Sequence, residues 1–139
     1  VAKALQESGT YSGALDLDYR DFAKLYAYMN QLSQRYAYHC YLVMVTMSTT
    51  PDAVMYIENI EQALSCMEQA IRRKIRAVDI CTRNSSMQYL IILFESEEKQ
   101  IPPIMERIFA QYYRLYGKGN FYPKYEYLPM MPPDGTDQP

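Results

Sequence analysis

Cations crowd one short stretch of this chain: Arg72, Arg73, Lys74 and Arg76 close a helical segment, and Asp79 follows them. Guanidinium groups fork onto phosphate or carboxylate oxygens, so the cluster has the chemistry to hold an anion. Cations also collect at helix C-termini because the backbone dipole favours them there, and on that simpler reading Asp79 caps a turn or pairs with a neighbour. His39 is the only histidine, which excludes multi-histidine metal centres. It adjoins Cys40, the one ready Cys–His combination, but adjacent strand residues point to opposite faces, so a nucleophilic dyad is not expected. Cys40, Cys66 and Cys81 are odd in number, widely spaced and free of any CxxC pair. Neither a disulfide framework nor a zinc site follows, and a reducing cytoplasm fits. No GxxxxGK[ST] loop or GxGxxG turn occurs, so the common nucleotide cradles are unsupported. The fifteen tyrosines have faces on which bases could stack, but the strands lack the paired basic and aromatic signature of RNA-binding sheets. Amphipathic packing or a protein interface accounts for them better.

These residues must be positioned by one domain, since 139 residues at 16.3 kDa leave little room for a second core. Sixteen acidic against fourteen basic side chains give a net charge of −2, so any polyanion site is local. The longest apolar stretches, Tyr41 to Val45 and Tyr89 to Phe94, are far too short to cross a bilayer, and no signal-peptide pattern opens the chain. The start at Val1 and a tail rich in Pro, Asp and Gly suggest a segment of a longer polypeptide.

Residues 1–17 lack periodicity and read as a linker or lead-in. Asp18 can cap a helix whose positions Phe22, Leu25, Met29, Leu32 and Tyr36 form one stripe. Cys40 to Met47, uncharged and rich in Val, Tyr and Thr, reads as a central strand buried on both faces. Ile57, Ile60, Leu64, Met67 and Ile71 mark a second helix ending near Ile75. Val78 to Arg83 and Met87 to Glu95 flank a polar turn, Asn84-Ser85-Ser86, suited to a hairpin. Ile101, Ile104, Ile108, Tyr112 and Leu115 mark a third helix with Pro102 and Pro103 in its first turn, and a strand near Lys124 to Leu128 closes the core. Residues 129–139 read as a flexible Pro-rich tail. Strand, helix, strand, strand, helix, strand is the split βαβ order of a ferredoxin-like α+β sandwich with an additional N-terminal helix. The two later helices would cover one sheet face, and the leading helix needs separate housing.

The hairpin run from Arg76 to Tyr89, followed by the apolar Leu90 to Phe94, resembles the core of GGDEF domains, the bacterial diguanylate cyclases. In that family RxxD precedes, by five residues, a turn reading GG(D/E)EF and then an apolar strand, and the register here matches without a gap. The resemblance extends over residues 18–128 and implies a nucleotide-cyclase-like sandwich. Its signature turn is altered: Ser85, Ser86, Met87, Gln88 and Tyr89 stand in the five positions. The family's DxDxFKxxND run is represented by Val45-Thr46-Met47-Ser48-Thr49-Thr50, with no carboxylate before Asp52, and its GHxxGD segment is missing. Phosphoryl transfer between nucleotides relies on divalent cations held by carboxylate oxygens. The resemblance therefore implies a degenerate, noncatalytic relative with no metal and no cofactor.

Arg76 and Asp79 match the RxxD site at which the family binds cyclic di-GMP, and Arg107 stands where an additional arginine completes that site in some relatives. The function expected is a noncatalytic regulatory or interaction module of a cytoplasmic bacterial signal-transduction protein. The alternatives are a cyclic di-GMP receptor working through Arg76, Asp79 and Arg107, and an enzyme whose site is not recognised. The partners implied are an upstream receiver, sensor or transcriptional-activator domain, a second copy of the module, and cyclic di-GMP. Neither nucleic acid nor a membrane is an expected partner of this domain.

Overall fold

A computed structural model describes residues 15–16, 18–36, 39–50, 57–76, 78–85, 87–117 and 119–130. The elements run β1 (Leu15–Asp16), α1 (Tyr19–Tyr36), β2 (Tyr41–Thr49), α2 (Ile57–Lys74), β3 (Ile80–Ser85), β4 (Gln88–Leu93), a 3-10 turn (Glu98–Gln100), α3 (Ile101–Leu115) and β5 (Phe121–Pro129). Asp18 begins α1 as a cap: its Oδ1 accepts from the Asp21 amide at 2.9 Å and its carbonyl from the Phe22 amide at 2.9 Å. The turn before α3 is held by Gln100 Oε1, which accepts from the Glu97 amide at 2.8 Å. Pro102 and Pro103 then occupy the first turn of α3, where no intrahelical donor is needed.

The strands form one five-stranded sheet in the order β1-β3-β4-β2-β5. β2 is antiparallel to β4 and β5, β3 and β4 form the hairpin, and β1 adds a parallel edge to β3. Without β1 this is the ferredoxin-like order. The alternation of strand side chains sends Val43, Val45, Met47, Tyr89, Ile91 and Leu93 to one face, all buried. Against that face lie Leu64, Met67 and Ile71 of α2 and Met105, Ile108 and Tyr112 of α3. Helix α1 is housed on the opposite face, where Phe22 packs with Cys40, Ile80, Ile92 and Met130. No helix among the described residues is long and apolar enough to cross a membrane.

Several elements differ from the sequence expectation. β2 is not buried on both faces, because Leu42, Met44 and Thr46 are only half-buried while their neighbours are fully covered. A single helix is about 10–12 Å wide and cannot roof strands spaced about 4.8 Å apart across a whole sheet. Leu15 and Asp16 pair with Ile80 and Cys81 although no element was expected before Asp18, since two residues carry no readable period. The hairpin pairs as far as Ser85 with Gln88, through a register shift between Arg83 and Ser85, so Asn84 and Ser85 belong to the strand and not to the turn. At the C-terminal end, Pro129 is still in β5 and Met130 is buried, its amide donating to the Cys40 carbonyl at 2.9 Å. Asp52, Ser86, most of the lead-in and residues 131–139 lie outside the described residues.

Candidate functional site

The segment between α2 and β3 is organised by one carboxylate. Asp79 is 1% exposed, and its two oxygens accept four hydrogen bonds. Oδ2 takes the Arg76 amide at 3.0 Å and Arg76 Nε at 3.2 Å; Oδ1 takes Arg76 Nη2 at 3.0 Å and the Phe94 amide at 3.0 Å. Four bonds use the acceptor capacity of a carboxylate, so Asp79 has none left for a ligand while this arrangement stands. Its work is to lock the end of α2 to the end of β4. Arg76 Nη2 strengthens the lock by donating to the Phe94 carbonyl and to Ser96 Oγ, the latter at 3.0 Å. The Arg76 side chain remains 51% exposed, with Nη1 outside these bonds.

That half-exposed guanidinium opens onto a cleft of about 460 Å³, within the size range of small-molecule sites. Lys74 from the last turn of α2, Lys99 from the 3-10 turn and Arg107 from α3 line it with Arg76. Lys99 meets Glu97 at 3.5 Å, but both side chains are more than half exposed, so water weakens the pair. Asp79 is the carboxylate among the lining residues, and Arg76 already balances it. The cleft is therefore suited to anionic oxygens. Arg76, Asp79 and Arg107 meet at one cleft despite their separation in sequence. Sequence reasoning did not assign Lys99 or Ser96 to it, because neither carries a local signal; they arrive there when the end of β4 meets the end of α2. Arg73, a member of the same cation run, is exposed and does not line the cleft.

The hairpin turn lies at the other end of the sheet, beside the end of β2. Gln88 Oε1 accepts from Asn84 Nδ2 at 3.0 Å, and its Nε2 reaches Thr46 Oγ1 at 3.4 Å. The Met87 carbonyl accepts from the Met47 amide at 2.9 Å, joining the turn to β2. Ser85 Oγ accepts from the Met87 amide at 3.4 Å. Tyr89 is buried and its hydroxyl donates to the Leu64 carbonyl at 2.8 Å, so this position anchors the hairpin to α2. Asn84, Gln88 and Thr46 are all neutral, and the charged side chain beside them is a cation, Arg83, whose Nε donates to the Ser85 carbonyl at 3.3 Å. Among the described residues, no group of three or more His, Cys, Asp or Glu side chains is placed to hold a metal ion. His39 is exposed while Cys40 is buried, and burial pushes the Cys40 thiol above its usual pKa, the reverse of what a nucleophile needs.

No protein-family model and no curated protein matches the sequence itself. Solved structures do match the architecture. The FimX GGDEF domain from Pseudomonas aeruginosa superposes with a TM-score of 0.70 at 12% identity, covering 87% of this chain and 78% of that one. The fold is that of GGDEF domains. Diguanylate cyclase SiaD from the same organism, solved with its activator SiaC, gives a TM-score of 0.69 at 14% identity over 85% of this chain and 48% of its own. The GGDEF domain of DgcB from Caulobacter crescentus, solved in complex with c-di-GMP, gives 0.66 at 8% identity over 83% and 73%. Within this fold the Asn84–Gln88 turn and the Arg76–Asp79 segment lie at opposite ends of the β3–β4 hairpin.

Proposed function

We propose that this chain is a noncatalytic GGDEF-like regulatory module of a cytoplasmic bacterial signalling protein, placed downstream of a receiver, sensor or transcriptional-activator domain and acting by association. The observation that carries this reading is the neutral network of Asn84, Gln88 and Thr46 at the hairpin. Cyclase chemistry there would need divalent cations to neutralise developing phosphate charge, and such cations are held by carboxylates in preference to amides and hydroxyls. Association with a protein partner has a counterpart in SiaD, which is solved with an activator. Incubation with GTP and magnesium or manganese should yield neither pyrophosphate nor cyclic di-GMP, and formation of either would overturn the reading.

The cleft supports a second reading, a receptor for cyclic di-GMP, the ligand of the DgcB complex. Arg76 and Arg107 share the cleft with two lysines, a donor set able to fork onto phosphate or onto a guanine edge. Asp79 then serves as the anchor that aims Arg76. Calorimetric titration separates the two readings: heat that disappears in Arg107→Ala and Arg76→Ala supports the receptor, and no heat at tens of micromolar ligand removes it.

A further inference from the structure

The β5 edge of the sheet has a polarity and a charge pattern of its own, independent of the hairpin and the cleft. Pairing of β5 with β2 runs without interruption from Thr49 opposite Phe121 to Tyr41 opposite Pro129. At its two ends the Thr50 amide donates to the Asn120 carbonyl and the Met130 amide to the Cys40 carbonyl. In an antiparallel ladder such bonded pairs alternate with pairs whose backbone groups point away. The even-numbered residues of β5 therefore bond to β2, and Phe121, Pro123, Tyr125, Tyr127 and Pro129 turn their backbone groups outward. The prolines fall at positions where a strand tolerates them, on the open side. The amides of Tyr125 and Tyr127 and the outward carbonyls from Pro123 onward are left facing the edge, whereas Phe121 is fully buried and its carbonyl already accepts from the Tyr112 hydroxyl at 2.8 Å; β5 is the last strand of the sheet among the described residues.

We infer that β5 is a homodimerisation strand: two copies of the chain join edge to edge, antiparallel about a twofold axis at Tyr125, and continue one sheet through both subunits. The occupant is fixed by charge and register. With Tyr125 opposite its own copy, Lys124 lies across from Glu126 of the partner subunit, and this contact occurs twice. Tyr122 lies across from Leu128 of the partner subunit, covering a leucine that is 51% exposed in the single chain. These pairs are the non-bonded ones across the axis, where facing side chains come closest. Sliding the register by one pleat in either direction sets Lys124 against Lys124 or Glu126 against Glu126, so one alignment alone is favoured. Lys124 and Glu126 are both exposed, and neither has an ion-pair partner among the described residues. A twofold contact consumes both copies of the edge, so the assembly closes as a dimer and does not grow into a filament.

Sedimentation velocity over a concentration series tests this, with hydrogen exchange as the second readout. A monomer–dimer equilibrium is expected, with the Tyr125 and Tyr127 amides slowing as concentration rises while the Glu126 and Leu128 amides, already bonded to β2, stay unchanged. Lys124→Glu and Glu126→Lys should each weaken the dimer about tenfold or more, because like charges then face each other twice. An equimolar mixture of the two variants should restore association as a heterodimer, and the double exchange should restore the homodimer. Unchanged exchange at the Leu128 amide certifies that each variant is folded. A protein monomeric at every concentration, or a dimer indifferent to these reversals, overturns the inference. Neither outcome bears on GTP turnover or nucleotide binding, which are measured separately.

Discussion

Asp79 and Arg107 line the same cleft but stand in opposite relations to it. Asp79 is enclosed and saturated by donors, whereas Arg107 is exposed on α3. Asp79→Asn places an amide N–H against donors that already point inward, leaving the Phe94 or Arg76 amide without an acceptor. A loss of about 2–4 kcal/mol in folding stability is expected, read as a lower urea midpoint at an unchanged slope. Arg107→Ala should stay within about 0.5 kcal/mol of the parent, since it touches no anchor of the fold. Equal losses in the two variants would contradict the division of the cleft into a buried anchor and an exposed lining residue.

Among the elements, α1 depends most on its own ends. Among the described residues it is the one helix on its sheet face, with Phe22 buried but Tyr19, Tyr28 and Tyr36 more than half exposed. Its start rests on the Asp18 cap. Asp18→Ala should cost about 1 kcal/mol and should speed hydrogen exchange in the first turn of α1 before any change appears in α2. If exchange in α1 does not change, its N-terminus is held by tertiary packing and not by the cap. The hairpin differs from α1 in being anchored at both ends: Tyr89 reaches Leu64 of α2 near the turn, and the Phe94 amide reaches Asp79 at the far end.

Across the molecule, the tyrosines that close the core against β5 make stability depend on alkaline pH. Tyr112 is fully buried, its hydroxyl donates to the Phe121 carbonyl at 2.8 Å, and its ring stacks on Tyr116 at 5.6 Å. Burial drives the Tyr112 hydroxyl well above the usual tyrosine pKa near 10.0, and burial raises Tyr116 as well, against the opposing hydrogen bond to Asn120. A folded-state pKa above the unfolded one means that the unfolded chain loses the proton first. The stabilisation is therefore complete below about pH 10 and is lost as pH climbs from there through the folded value. Urea midpoints should hold from neutrality to about pH 9.5 and then fall, with tyrosinate absorbance appearing together with unfolding. Tyr112→Phe should flatten that decline while costing about 1 kcal/mol at neutral pH through the lost hydrogen bond.

The helices and strands of the ferredoxin-like core were readable because each is a local compromise between backbone period and water. Leu64, Met67 and Ile71 recur on one helix face, and Val43, Val45 and Met47 on one strand face, whatever the rest of the chain does. The Arg76 and Asp79 pairing was readable as one of two alternatives, since three residues of separation allow a turn or a ligand grip. Burial of Asp79 was not, because it depends on the Phe94 amide arriving from the end of β4. The same holds for Lys99 beside Arg76, for Leu15 and Asp16 beside β3, and for the half-roofed face of β2 under α1. Periodicity is written in neighbouring residues, but a meeting between distant segments is a property of how whole elements pack, and no window of sequence contains it.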